Sequence, residues 1–238
     1  MTEKLKIVAL SDLHGYLPDD IPQCDIVCIA GDICPLEIQN DIIRSVSWFL
    51  LDFKKWADNL PCDKVIFVGG NHDFFLYEAG AKHYFNAVDA MKRMLGSHRN
   101  ETKLIYLQDN SYEYKGKKFY GSPWIADLSR WAFYETDEEL KKIWNMIPKC
   151  CDVLITHMPP KIDTCGTVLQ SGCFNTIQDY GSQVLADIVK ERDIKYHVFG
   201  HVHSGCHNET VFNNTKFINV SIKDEQYRPF YHLYEFEI

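Results

Sequence analysis

An α/β fold built on mixed β-sheets is predicted for this 238-residue chain by three features. Short apolar runs alternate with helix-period segments in the first part, the pattern of parallel strands joined by helices. Short strands and turn residues dominate later, which adds antiparallel pairs. Five polar strings each follow an apolar, β-like run: Asp12-Leu13-His14, Gly31-Asp32, Gly70-Asn71-His72-Asp73, Thr156-His157 and Gly200-His201-Val202-His203. Open α/β sheets hold ligands where their strands end, so the five strings point to one shared site.

Residues 4–10 and 25–30 read as strands that are nearly continuous in apolar residues, as buried parallel strands are. Residues 38–56 carry Ile42, Ile43, Val46, Phe49, Leu50, Phe53 and Trp56 at helical spacing, and Pro61 closes the segment. A strand at 64–68 follows. Residues 74–95 read as a helix with Ala87, Ala90, Met91, Met94 and Leu95 on one side and Gly96 as its stop. Strands are expected at 103–107, 111–114 and 117–120, the last two joined by a Lys115-Gly116 hairpin. Residues 137–147 read as a helix, with Thr136 as N-cap, Glu138 and Glu139 in the first turn and Pro148 beyond the end. A strand at 152–155, a helix at 182–190 and a strand at 195–199 come next. A hairpin turns at Asn213-Asn214 and returns along 215–220, and residues 229–236 close the sheet. With no linker, repeat or low-complexity segment, the expectation is one domain over residues 1–238.

The composition, 46% hydrophobic and 24% charged, is that of a globular protein with a sizeable core. A net charge of −8 argues against a long nucleic-acid groove, because phosphates would be repelled. It leaves room for a small phosphate ester, since bound cations can invert the local sign. No signal peptide is read at the N-terminus, and no apolar run approaches the ~20 residues of a membrane span. The nine cysteines are odd in number and lack a Cys-x-x-Cys pair, so a reduced, cytoplasmic protein is expected. Cys24, Cys28, Cys62, Cys150 and Cys151 lie in or beside apolar segments and read as core fillers.

The chemistry rests on the five strings. In an extended segment residues i and i+2 point the same way, so Asp12 pairs with His14 and His201 with His203. Gly31, Gly69, Gly70 and Gly200 let backbone approach closely and turn.

The order Asp-x-His, Gly-Asp, Gly-Asn-His-Asp, His, Gly-His-x-His, running from Asp12 to His203, resembles the calcineurin-like metallophosphoesterases. Gly121-Ser122-Pro123-Trp124 and the 156–160 string Thr-His-Met-Pro-Pro are similar to a subgroup of small phosphodiesterases, the MPPED-like proteins. The resemblance implies two mixed sheets packed face to face with helices outside, a four-layer αββα sandwich. It also implies two divalent metal ions. One would take Asp12, His14, Asp32 and His203. The other would take Asp32, Asn71, His157 and His201, with Asp32 bridging. Oxygen and imidazole ligands suit Mn²⁺, Fe, Zn²⁺ or Ni²⁺, with Mn²⁺ favoured. A hydroxide shared by the ions would attack phosphorus. His72 is the candidate acid at the leaving oxygen, with Asp73 fixing its ring. No nucleophilic side chain is expected.

For substrate contacts the candidates are Trp124, as a pocket wall or stacking ring, and the stretch 165–178 with Gly166, Gly172 and Asn175. Core packing is the reading for Trp131, Phe133 and Tyr134. The favoured substrate is a small phosphodiester such as a nucleotide. A phosphomonoesterase, a protein Ser/Thr phosphatase included, is the nearest alternative; a nuclease and a non-catalytic metal-binding scaffold are more distant.

Overall fold

The computed structural model describes residues 4–81, 102–170 and 176–238. Strands β1 (Lys6–Leu10), β2 (Ile26–Ile29), β3 (Lys64–Phe67) and β4 (Leu104–Tyr106) run parallel, and β13 (Tyr234–Glu237) pairs antiparallel with β1. The order in this sheet is β13-β1-β2-β3-β4. The second sheet is built on four parallel strands: β12 (Thr215–Asn219), β10 (Asp193–Phe199), β7 (Cys150–Thr156) and β6 (Lys117–Ser122). Its edges are antiparallel hairpins formed with β11 (Thr210–Phe212) and β5 (Asn110–Tyr114). Both edge turns are the predicted ones. Lys115-Gly116 and Asn213-Asn214 each have two consecutive positive φ angles, as a two-residue hairpin of type I′ requires.

Alternation along the strands divides the interior into three cores. Ile7, Ala9, Ile26, Cys28 and Ile66 meet Phe119, Val153, Ile155, Val198 and Ile218, and this layer holds the two sheets face to face. The intervening residues Val8, Leu10, Val27, Ile29 and Phe67 face outward, onto Phe49, Phe53, Ala57 and Phe75. Tyr120, Leu154, Phe199 and Phe217 do the same on the other side, against Leu140, Trp144, Leu185 and Ile188. Strands buried on both faces explain the near-continuous apolar runs.

The outer helices are α1 (Ile42–Trp48), α2 (Lys54–Asn59) and α3 (Phe74–Ala81) on the first sheet, and α4 (Asp137–Trp144) and α5 (Gln183–Val189) on the second. Thr136 caps α4 through the Glu139 amide, as predicted. The predicted 38–56 helix starts later, because the Asp41 side chain accepts from the Arg44 amide and so sets the N-terminus. A π-helical turn, Phe49–Phe53, joins α1 to α2 and stacks the two terminal rings at 5.1 Å. Of the predicted 74–95 helix, residues 82–95 and the Gly96 stop lie outside the described residues. Two expectations need correction. Cys150 is exposed, because β7 begins there at the sheet rim. A ribbon of β8 (Thr167–Gln170) and β9 (Thr176–Asp179), unforeseen as strands, occupies the stretch after His157.

Asp109 shows how the loops are tied to this frame. It lies between β4 and β5 with a left-handed backbone, φ 52°. Its carboxylate accepts from Ser122 Oγ at 2.7 Å and from Trp124 Nε1 at 2.6 Å, and Ser122 Oγ also accepts from Trp144 Nε1 at 3.1 Å. Burial raises its pKa to about 6 against the opposition of those two donors. The unfolded chain therefore releases this proton at a lower pH than the folded one. Stability falls as pH rises from about 4 to about 6 and stays reduced above that range. Asp109→Asn has no charge to bury: its Oδ1 can still accept from Trp124 Nε1, and its Nδ2 can donate to Ser122 Oγ once that hydroxyl turns. It should stabilise the protein at pH 7.5 by roughly 1–2 kcal/mol, or about 3–8 °C in Tm, and by little at pH 4. Thermal melts at the two pH values test this; an equal shift at both would exclude Asp109 as the titrating group.

Candidate metal centre

Asp12, Asp32, Asn71, His157 and His201 each stand just past the end of β1, β2, β3, β7 or β10, and the two sheets present these ends to one another. Close backbone approach is required at two glycines. A Cβ on Gly70 would sit 2.3 Å from Asp32 Oδ1, and one on Gly200 would sit 2.0 Å from Ser11 Oγ and 2.3 Å from Asp12 Oδ2. Neither position has room for any other residue.

All seven residues assigned to metal by resemblance are brought together. His14 Nε2 faces His203 Nε2 at 3.2 Å, and His203 Nε2 lies 3.3 Å from Asp12 Oδ1. Asp32 Oδ2 lies 3.7 Å from His14 Nε2 and 3.4 Å from His157 Nε2. Asn71 Oδ1 stands 2.9 Å from His157 Nε2 and 2.9 Å from His201 Nδ1. Asp32 thus lies between a group on the His14 side and a group on the His157 side. Donor atoms about 2.1 Å from a common ion stand roughly 3.0–3.4 Å apart in octahedral or tetrahedral arrangements, and these spacings fit such a shell. Two facing imidazole nitrogens also suit a shared cation better than a hydrogen bond to each other. The outer nitrogens are held from behind: His157 Nδ1 by the Ala30 carbonyl at 2.8 Å and His203 Nδ1 by the Asp224 carbonyl at 3.1 Å.

The extended-segment reading of Asp12 and His14 is corrected. Asp12, His14, Asp32 and His201 have φ of 58°, 41°, 54° and 70°, in the left-handed region. Asp12 and His14 converge because the chain coils after β1, with the Asp12 amide on Gly31 O at 3.0 Å and the His14 amide on Asp32 O at 2.9 Å. His201 and His203 diverge, one toward Asn71 and the other toward Asp12.

The electrostatics follow from burial. Burial alone would raise Asp12, but His203 and His157 outweigh it and hold the carboxyl well below its usual range. Asp32 behaves likewise, burial being overcome by His157 and His72. Burial lowers His157, but Asp32, Asp12 and the Ala30 carbonyl together outweigh it, so its pKa rises to about 9. His14 is dominated by burial and falls to about 3, and its Nδ1 is buried without a hydrogen-bond partner among the described residues.

His72 Nε2 stands 3.8 Å from Asp32 Oδ2, and its Nδ1 pairs with Gln39 Oε1. The expected Asp73 contact is replaced. Asp73 accepts instead from the amides of Cys34 (2.9 Å), Gly70 (2.9 Å) and Ile33 (3.1 Å), and so staples the loop after β2 to the loop after β3. Gln39 reaches His72 because residues 38–41 form a turn ahead of α1. Asp127, also unforeseen, meets His201 Nε2 at 3.0 Å. Neither residue lies in a recognisable motif.

A cavity of about 800 Å³ opens over the cluster. Its walls include Trp131, Tyr180 and Tyr227, with Val168 from the ribbon. Trp124 is not a wall: its Nε1 is tied to Asp109 and its ring abuts Phe133 at 5.7 Å. Trp131, read from sequence as core, does line the cavity, with its ring 4.5 Å from that of His72. Asn175 lies outside the described residues.

The chain belongs to the calcineurin-like phosphoesterase family, whose profile matches residues 5–205. It is 29% identical over 238 residues to metallophosphoesterase domain-containing protein 1 of Homo sapiens, covering 94% of this chain and 68% of that one. It is 32% identical to a UPF0046 protein of Caenorhabditis elegans, covering 99% of this chain and 81% of that one. Phosphopantetheinyl hydrolase from Mycobacterium tuberculosis shares the fold, with a TM-score of 0.53, 16% identity and coverage of 99% and 97%. Family and cluster together support metal-dependent phosphoester hydrolysis.

Asp73→Ala should leave three buried amides unpaired and cost roughly 3–5 kcal/mol, about 6–15 °C in Tm. Asp73→Asn should cost less. A melting temperature for Asp73→Ala within 2 °C of wild type would show that Asp73 does not hold the two loops together.

Proposed function

We propose that the protein hydrolyses small phosphodiesters, nucleotides among them, at two divalent ions, and that residues 1–238 form one catalytic domain. Asp12, His14, Asp32 and His203 hold one ion and Asp32, Asn71, His157 and His201 the other. When bound, the ions supply Lewis acidity to the phosphate and lower the pKa of water at the site. The available donors fit Mn²⁺, Fe, Zn²⁺ or Ni²⁺, and Mn²⁺ is the first choice for reconstitution.

The charge of the cavity wall carries the preference for diesters. Besides Asp32, which the ions take up, Asp127, Asp224 and Glu225 line it, and among the described residues no lysine or arginine does. A monoester carries nearly two negative charges near neutral pH and a diester one, so these carboxylates oppose a monoester more.

His72 acts on the leaving oxygen. Gln39 Oε1 accepts from Nδ1–H, which leaves Nε2 to take up a proton and deliver it. Burial lowers the His72 pKa, which makes the imidazolium a stronger acid. After transfer, the neutral Nδ1–H tautomer remains in place on Gln39.

The Mn²⁺-reconstituted protein should show kcat/KM at least about tenfold higher on bis-p-nitrophenyl phosphate than on p-nitrophenyl phosphate. Chelation should abolish turnover and Mn²⁺ should restore it. Turnover that survives confirmed metal loss would refute the two-ion reading, and a monoester preference would assign a phosphomonoesterase. Retained metal with no turnover on either ester would favour a scaffold. His72→Ala should keep its metal, by elemental analysis, and lose roughly 10²–10⁴ in kcat. An unchanged rate would remove His72 from the chemistry.

A further inference from the structure

Cys24 and Cys62 stand at the rim opposite the metal cluster, just before β2 and β3 begin. Ile26 and Lys64 are direct partners in this parallel pair. The same register carried two residues back sets Cys24 opposite Cys62. The backbone agrees: the Cys24 amide donates to Pro61 O at 3.1 Å, and the Asp63 amide donates to Asp25 O at 2.9 Å. Neighbouring strands lie ~4.8 Å apart, within the Cα separation that a disulfide spans. Both residues belong to the same apolar layer, Cys24 buried within it and Cys62 packed at its edge. Their thiols are hydrogen-bonded to each other.

The pair is asymmetric. The bond to Cys62 and burial push the Cys24 thiol up. Cys62 is half-buried between the exposed Pro61 and Asp63, so a small solute can reach it. The bond from Cys24 and the charge of Lys103 hold its thiol below the usual range, against burial. Lys103 is fixed in place, its Nζ donating to Leu60 O at 2.5 Å and to Asp58 O at 3.1 Å. Burial instead pushes the thiols of Cys34, Cys151 and Cys165 up to about 12. The thiolate is the form that reacts.

We propose that Cys24 and Cys62 form a redox site, at which hydrogen peroxide oxidises Cys62 and Cys24 then closes a disulfide to it. The Cys62 thiolate attacks one peroxide oxygen and the O–O bond breaks. The products are a sulfenic acid and hydroxide, which takes up the proton that Cys62 released. The Cys24 sulfur next attacks the Cys62 sulfur, the S–O bond breaks, and the hydroxyl leaves as water with the Cys24 proton. The two thiols lose two electrons together, and the peroxide becomes two waters. A dithiol reverses the reaction. Asp32 and Asn71 follow the far ends of the same two strands, so the disulfide fastens strands that carry two cluster residues without touching the cluster. The site is independent of the phosphoesterase reading.

Hydrogen peroxide treatment of the folded wild type, followed by alkylation of the remaining thiols and peptide mapping, tests the pairing directly. The expected product is a peptide pair joined through Cys24 and Cys62, and dithiothreitol should release it. The oxidised protein should melt roughly 5–10 °C above the reduced one, because the bridge closes residues 24–62 into a loop in the unfolded chain. Cys24→Ala should lose both the linked peptides and the rise, and dimedone should then capture a sulfenic acid at Cys62. Cys62→Ser should leave Cys24 as a thiol. Absence of the Cys24–Cys62 link in wild type, or a link from Cys62 to another cysteine, would overturn the redox site. So would an equal rise in melting temperature in Cys24→Ala.

Discussion

Two carboxylates, Asp12 and Asp32, are buried beside one another at the meeting point of the sheets, and the rest of the site is arranged around that burden. An isolated buried carboxylate costs several kcal/mol unless charge and hydrogen bonds offset it. Here the offsets are imidazoles on His157, His203, His72 and His14, together with backbone amides. Asp32 Oδ1 accepts from the His72 amide at 2.8 Å, and both oxygens of Asp12 accept from the His201 amide at 3.2 Å. The structure therefore stabilises anions at a place from which water is largely excluded. Divalent ions meet the same electrostatic demand, which is why a cluster that is hard to justify as a packed core is coherent as a cation site.

Holding those carboxylates requires unusual backbone. Four site residues occupy the left-handed region, each at a cost on the order of 1 kcal/mol or more. The strain is sustained because the site-side ends of the parallel strands beneath are buried and the loop amides are satisfied across loops rather than within them. Asp73 is the clearest example: its carboxylate serves three amides from two separate loops and never touches the chemistry. The separation between reacting groups and the groups that fix their backbone explains how loops with such poor local preferences become precise.

Much of this was legible in the sequence. The apolar runs before Asp12, Asp32, Asn71, His157 and His201 placed those residues at strand ends, and the Lys115-Gly116 and Asn213-Asn214 turns carried their own conformational signature. What could not be read was partnership across long sequence distances. Gln39 and His72 are joined only because Asp41 caps α1 and leaves a turn before it. Asp127 has no motif around it, and its role depends on where His201 happens to turn. Trp124 and Trp131 are equally aromatic in sequence; an acid near the former, Asp109, binds its indole N–H, while the latter is left on the cavity. Asp73 was misread because adjacency to His72 suggested contact, whereas a carboxylate next to glycine-rich loops has nearer and more numerous donors in backbone amides.

The division of labour along the chain follows from these contacts. The family segment, residues 5–205, contains every residue of the candidate metal cluster. The wall facing it is drawn partly from residues 224–227, beyond the segment. The His203 to Asp224 hydrogen bond connects the two. A loop fastened to a cluster residue by its backbone carbonyl can exchange Gln226 or Tyr227 for other side chains without disturbing that anchor, whereas Glu225 adds to it by accepting from the Ser204 amide at 3.0 Å. Selectivity can therefore change while the ion-binding frame is kept, which is the arrangement expected where one fold serves many phosphate esters.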